Sequence, residues 1–483
     1  MTHGHDGGTG APPTERAPGP EHAPGPERVP GPARAPRQRA LLAAVVAAVL
    51  ALSTAIYVGV AADDGTVDRA ARGGGHAPPG AAAPASTGTW VGAWSASPAA
   101  AEPGTRAAGL AGRSVRNVVH AGVGGTSARI TLSNLYGATP LTVSHATIAL
   151  SDGTGTAAAA AGTMRRLTFS GNTRVVVPAG AQIISDAVRL TVPYGSDVLV
   201  TTYSPTASGP VTYHPHARQT SYLAPGDLTE DTTGRLAGGT AGGAWTETPY
   251  WRYLSALDLL SNEAEGTVVV LGDSITDGAT STADTNRRWT DVLGTRLRTA
   301  VADGRDVPRY SVVNQGISGN RVLTDGTGSP ADNPSGLTRF PRDVLGRTNV
   351  RAVVVDLGVN DILRTPGTVD AGSVLAGLRS LVDQAHARGV RVTGATLMPF
   401  GGHRGYSDSR EAVRQEINAE IRAGRVFDAV ADFDKALRDP YDPRRLRADY
   451  DCGDHLHPSD RGYARMAAAF DLDDLKGAAP AQL

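Results

Sequence analysis

One cysteine, Cys452, stands in a chain of 483 residues. A lone thiol excludes an internal disulfide framework and any multi-cysteine zinc or iron–sulfur site. It sits close to residues singled out below, so a cysteine nucleophile is a reading to weigh against them. Aromatic residues are scarce as well, at 5%; most of them are needed for a core, which leaves little for an aromatic binding face. There is no excess of charge of either sign. With 46 basic and 47 acidic residues the net charge is −1, which excludes the basic footprint of a nucleic-acid binder. Lysine is nearly missing, with only Lys435 and Lys476. Because alanine and glycine are abundant too, the arginine that takes its place reads as compositional bias, not phosphate-binding chemistry.

What is present begins with a repeat: Arg16-Ala-Pro-Gly-Pro-Glu21, His22-Ala-Pro-Gly-Pro-Glu27 and Arg28-Val-Pro-Gly-Pro-Ala33. Such a sequence cannot bury a core, so residues 1–39 are expected to form a disordered Pro/Gly-rich tail. The segment 40–62 is uncharged and long enough to span a bilayer core. Arg34, Arg37 and Arg39 precede it, and Asp63 and Asp64 follow. The expectation is a single-pass signal anchor, with the tail cytoplasmic and the bulk of the chain outside. The rival is a signal peptide cut near Ala62, since Val60-Ala61-Ala62 offers small residues at a cleavage site. Residues 63–88, rich in Ala, Gly and Pro, are expected to be a flexible linker.

The remaining length predicts two domains. From Trp90 to about Asn262, short alternating segments such as Ala128–Ser133, Val188–Val192 and Val198–Tyr203 are separated by Gly, Pro, Ser and Asp. Leu141–Leu150 and Arg174–Val177 read the same way. Strands without intervening helices predict a β-sandwich or jelly-roll-like accessory domain over 89–262. His120, His214 and His216 show no ligand spacing and read as structural, while Trp90, Trp94, Trp245 and Trp251 read as core and not as a sugar-stacking face.

Over 263–476 strand and helix patterns alternate, which predicts an α/β domain: a parallel sheet with helices on both faces and a flavodoxin-like strand order. Strands are expected at Val268–Leu271, Ser311–Asn314, Arg351–Asp356, Arg391–Leu397 and, more weakly, Val426–Val430. In such sheets chemistry gathers at the carboxyl ends of the strands. There the chain carries Gly272-Asp273-Ser274, Asn314-Gln-Gly-Ile-Ser-Gly319, Gly358-Val-Asn-Asp361 and Asp454-His-Leu-His-Pro458. Thr276 stands where a G-x-S-x-G nucleophile elbow would have its second glycine. No G-x-G-x-x-G or G-x-x-x-x-G-K-[ST] follows the first strand, which argues against a nucleotide-binding domain.

These four blocks, in this order, resemble those of the SGNH or GDSL hydrolases over roughly residues 265–475, and the β-rich segment before them resembles that of secreted actinobacterial-type GDSL esterases. A serine hydroxyl needs a base to become a nucleophile. Ser274 is the candidate nucleophile and His457 the candidate base. Asp454, three residues earlier, can reach the imidazole and fix its tautomer. The resemblance implies an oxyanion hole from the backbone N–H of Ser274, the backbone N–H of Gly319 and the side-chain amide of Asn360. Asp273, Asp277, Asn314 and Asp361 are expected to shape turns, and His455 to be a decoy. The loops Leu323–Phe340 and Pro399–Ser409 are expected to line the pocket.

The expected function is a serine esterase acting on an acetylated polysaccharide or short-chain ester. It would need no metal, organic cofactor or obligate protein partner, and would be held at the membrane by its one N-terminal helix. The alternatives are a lipase or lysophospholipase acting on lipid esters, and a carbohydrate-binding adhesion protein whose hydrolase domain has decayed.

Overall fold

The computed structural model describes residues 87–239 and 242–477. The described residues form one compact unit. The expected tail (1–39), membrane span (40–62) and nearly all of the linker (63–88) lie outside the described residues. Among those described, no helix is long and apolar enough to cross a membrane. The expectation of a membrane partner and a single-pass location is corrected accordingly, since the one segment that carried it has no described structure.

None of the described residues in 89–262 is helical. Their strands pair antiparallel in two main sheets. Thr89–Ser95, Gly125–Ser133, Gln182–Ile184, Val188–Val192 and Leu254–Ser261 form one, and Arg113–His120, His145–Leu150 and Asp197–Ser204 are central to the other. Apolar residues of both sheets, among them Val91, Ile130 and Leu257 with Val119, Ile148 and Val200, share one core. The β-rich expectation therefore holds, whereas the pairings do not single out a jelly roll. Leu141–Leu150, read as one strand, is two. Leu141–Val143 pairs with Val175–Val177, and His145–Leu150 pairs with Asp197–Ser204. The break falls at Ser144, whose N–H turns to the Tyr203 carbonyl. Trp94, Trp245 and Trp251 are buried, as a core role requires.

The α/β half holds five parallel strands: β1 (Gly266–Gly272), β2 (Tyr310–Gly316), β3 (Val350–Asp356), β4 (Arg391–Ala395) and β5 (Ala429–Ala431), in the order 2-1-3-4-5. Every residue of β1 is buried, which explains why its sequence offers no polar face. The flanking helices include α1 (Ser274–Asp277), α2 (Trp289–Ala302), α3 (Gly336–Phe340), α4 (Val359–Arg364), α5 (Ala371–His386), α6 (Asp408–Arg422), α7 (Phe433–Leu437) and α8 (Asp460–Ala469). Their apolar stripes face the sheet as their 3.6-residue spacing demands. Trp289, Leu293 and Leu297 of α2 are buried, as are Val374, Leu378, Leu381, Val382 and Ala385 of α5. Strand order reverses between β1 and its neighbours β2 and β3, the crevice where doubly wound sheets hold ligands.

Candidate active site

β1 ends at Gly272, and the chain turns at once into α1. Asp273 caps it, its side chain accepting the Ile275 N–H at 3.0 Å. Ser274 is thereby set at the first position of a short helix directly above the sheet edge. Its Oγ lies 2.8 Å from His457 Nε2. On the other side of the ring, His457 Nδ1 lies 2.6 Å from Asp454 Oδ2. The Asp454 Oδ1 atom accepts the backbone N–H groups of Leu456 (3.0 Å) and His457 (2.8 Å), so the carboxylate and imidazole share one tight turn. Partial burial pushes the Asp454 carboxyl up, but the His457 bonds and charge and the Leu456 N–H outweigh it. The carboxyl is held well below its usual range. Two further ties fasten this turn to the segment after Ser274: Thr280 Oγ1 donates to the Pro458 carbonyl at 2.6 Å, and Thr282 donates twice to Asp460.

His455 stands apart from this chain of contacts. It pairs with Asp451 at 2.6 Å and adopts φ of +64°, a separate His–Asp contact. Cys452 is exposed, yet partial desolvation, and then the Asp454 and Asp451 carboxylates, push its thiol up. A thiolate there is disfavoured, and a cysteine nucleophile with it.

The loop after β2 passes close to α1. A Cβ at Gly316 would lie 2.3 Å from the Asp277 backbone nitrogen, so only glycine permits this approach. Gly319 has φ of +78°. Asn314 shapes the turn as expected, its Nδ2 donating to the Thr276 carbonyl and its Oδ1 accepting the Gly316 N–H at 2.8 Å. Asp361 likewise accepts the N–H groups of Val322 (2.7 Å) and Leu323 (3.1 Å). Asn360, near the start of α4, is gripped at both ends. Its Oδ1 accepts from Arg364 Nε at 3.0 Å, and its Nδ2 donates to Asp273 Oδ2 at 3.0 Å. One Nδ2–H remains for the pocket. Burial, and then the neighbouring Asp356, push the Asp273 carboxyl well up; burial also raises Asp356, to about 6.

Ser274, Asn360, Asp454 and His457 thus converge, with Gly319 on the adjoining loop. An open cavity of about 660 Å³ borders Asn360, Asp454 and His457 and is lined also by Leu363, Arg364, His403, Arg404 and Leu456. The 399–409 loop lines it through His403, Arg404 and Gly405, as expected. The 323–340 loop does not. Its Arg339 is wholly buried and donates to the carbonyls of Gly272 (2.9 Å) and Gln315 (2.7 Å) and to the Ser97 hydroxyl (2.9 Å). Sequence reasoning also missed Arg364, whose guanidinium packs over Gly319. An arginine in the last turn of a short helix gives no signal of that kind.

Residues 270–465 match the model of the family described as GDSL-like Lipase/Acylhydrolase. That stretch is thus similar to GDSL-like lipases and acylhydrolases. The GDSL-like match does not reach the β-rich residues 89–262. No curated protein matches the chain. Among solved structures, the chain is similar to a putative lipolytic protein of the G-D-S-L family from Desulfitobacterium hafniense DCB-2. The two share 20% identity, with 42% of this chain and 97% of that one covered and a TM-score of 0.32. A GDSL-like lipase from Bacteroides thetaiotaomicron VPI-5482 shares 20% identity over 42% and 84% of the two chains, with a TM-score of 0.30. Est24, a carbohydrate acetylesterase from Sinorhizobium meliloti, shares 18% over 42% and 96%, with a TM-score of 0.32.

Proposed function

We propose that the chain is a serine esterase that hydrolyses O-acyl esters through an acyl-enzyme. The observation that carries this reading is the Ser274 Oγ–His457 Nε2 contact of 2.8 Å, backed by Asp454 at 2.6 Å. Ser274 Oγ attacks the ester carbonyl carbon while its proton passes to His457 Nε2. The carbonyl electron pair moves onto oxygen, where the N–H groups of Ser274 and Gly319 and the free Asn360 Nδ2–H donate to it. Collapse of the tetrahedral adduct breaks the bond to the alcohol oxygen, which takes the proton from His457. Water then attacks the acyl-serine by the same steps and releases the acid. Ionised Asp454 holds the Nδ1–H tautomer and stabilises the imidazolium.

For the substrate, lipid acyl esters stand ahead of acetylated polysaccharide. The family description names lipases and acylhydrolases. Arg364 and Arg404 line the cavity, and neither meets a carboxylate among the described residues; Arg364 bonds only Asn360. Guanidinium groups left free in this way suit an ester that carries an anionic group, as phospholipid-type esters do. The division into a β-rich domain (89–262) and a hydrolase domain (263–476) belongs to the same reading, as does the likeness of the former to the sandwich of actinobacterial-type GDSL esterases. The test is to label the protein with a serine-reactive phosphonate, map the adduct, and assay anionic and neutral esters of graded acyl length. An adduct anywhere but Ser274, or hydrolysis that survives Ser274→Ala, refutes the reading.

A further inference from the structure

The β-rich half reaches the loop that carries Gly319 through a buried side-chain relay. His214 ends the strand Thr212–His214 and is 4% exposed. Its Nδ1 lies 2.9 Å from the Ser97 carbonyl oxygen, and its Nε2 lies 2.9 Å from Asp277 Oδ1. Both ring nitrogens face oxygens, so the ring bridges the Ser97 carbonyl and the Asp277 carboxylate in a buried contact. Burial pushes the Asp277 carboxyl up, but His214 outweighs it, helped by the Ser318 hydroxyl, and the carboxyl is held below its usual range. The second oxygen, Oδ2, accepts the backbone N–H of Ser318 at 3.1 Å and its hydroxyl at 2.8 Å. Ser318 is the residue before Gly319, and Asp277 closes the helix that Ser274 opens. One carboxylate therefore ties the nucleophile's helix to the loop bearing the second oxyanion donor.

Ser97 also grips that loop from its far side. Its hydroxyl accepts from Arg339 Nη1 at 2.9 Å, and Arg339 Nε donates to Asn320 Oδ1 at 3.0 Å. Asn333 adds a bond from Nδ2 to the Ser318 carbonyl at 3.1 Å, while its own N–H donates to the carbonyl of Ala99 at 2.6 Å. Residues 318–320 are thus held on both sides by groups anchored in the β-rich half. The cavity beside the His214–Asp277 pair measures about 80 Å³, far below the roughly 300 Å³ or more of a small-molecule site.

We infer that the β-rich half is an integral part of the active site, with His214 and Asp277 as positioning residues that hold Ser318–Gly319 where the Gly319 N–H meets the oxyanion. This rests on the esterase reading above for its catalytic consequence, but not for its structural one. A preorganised donor acts on the charge that develops in the transition state. Loosening the loop should therefore lower kcat and leave KM nearly unchanged.

The test uses the full chain and p-nitrophenyl acetate. His214→Leu removes both ring contacts and should lower kcat on the order of 10–100-fold, with KM moving less than about threefold. His214→Gln can place an amide N–H toward Asp277 and should restore most of that loss. Amide hydrogen exchange gives a readout independent of turnover: peptides covering 316–320 should exchange faster in His214→Leu. They should be unchanged in His145→Ala, an exposed histidine of the same half. If His214→Leu fails to fold, Ser318→Ala decides, because it deletes only the hydroxyl bond to Asp277; it should show the same kcat-only loss on a smaller scale. A folded His214→Leu protein with wild-type kcat and unchanged exchange at 316–320 overturns the inference, as does equal impairment by Leu and Gln. If instead Ser274→Ala leaves hydrolysis intact, the esterase reading fails, and the exchange data still decide whether His214 holds the loop.

Discussion

Replacing Asn360 by alanine tests the oxyanion hole at its only proposed side-chain donor. Asn360 is 4% exposed and fixed at both ends, by Arg364 Nε and by Asp273 Oδ2, each at 3.0 Å. Its amide plane therefore cannot rotate, and the remaining N–H reaches the transition state already aimed. Loss of one such donor is worth on the order of 10²–10³ in kcat, about 3–4 kcal/mol. A separate cost falls on stability. Asp273 loses a donor in a fully buried place, and an orphaned buried polar group costs about 1–3 kcal/mol. Because burial favours the neutral Asp273 carboxyl, the lower end of that range is expected. Steady-state hydrolysis of p-nitrophenyl esters gives kcat and KM, and thermal melting gives stability. The expected result is a large kcat loss, a nearly constant KM and a small drop in Tm. Should KM rise while kcat holds, Asn360 binds ground-state substrate and the oxyanion assignment is wrong.

Other variants separate the remaining roles. Ser274→Ala should abolish both phosphonate labelling and turnover. Asp454→Asn should cut kcat by on the order of 10⁴ with folding intact, because the amide favours the wrong tautomer; circular dichroism checks the fold. His455→Ala should cost little, since His455 contacts Asp451 and not Ser274; an inactive His455→Ala beside an active His457→Ala would falsify the base assignment. Burial raises the Asp356 carboxyl from its ordinary 3.8 to about 6, so the folded state binds its proton more tightly than the unfolded chain. That contribution is complete below the unfolded value and is lost as pH rises through the folded one, on the order of 2–3 kcal/mol. Melting curves of wild type and Asp356→Asn between pH 4 and 7 should show this decline in wild type and a flatter profile in the variant.

Much of the α/β half could be read from sequence because its signals are local. The apolar run at Val268–Leu271 is a strand buried on all sides, and the stripes on α2 and α5 face the sheet. Ser274, Asp454 and His457 could be singled out because each sits in a short block and the fold brings strand ends together. Asp277 shows the limit. Its sequence reads as a turn former, yet its partner His214 lies 63 residues away and its other partner Ser318 lies 41 away. No periodicity links such residues, because the contact is made by packing one half against the other. Arg339 is hidden for the same reason: an arginine between Thr338 and Phe340 looks exposed until Ser97, Gln315 and Gly272 are seen around it. The 323–340 loop is expected at the pocket because it follows a strand, yet its Arg339 turns into this buried network instead.

The pairing of Thr89 with Ser261 has a consequence for how the protein is made. The first strand of the β-rich half finds its partner only when the last strand, Leu254–Ser261, has been synthesised, and β1 begins at Gly266 directly afterwards. On the ribosome, the earlier half is thus complete in sequence just as the later one starts to emerge. Ser97 and His214 are therefore synthesised, with every strand of their sheets, before Asp277, Gln315 and Arg339. Vectorial synthesis therefore makes the strands that grip the 318–320 loop available before that loop. A circular permutant that made residues 263–477 first would have to build that loop without them.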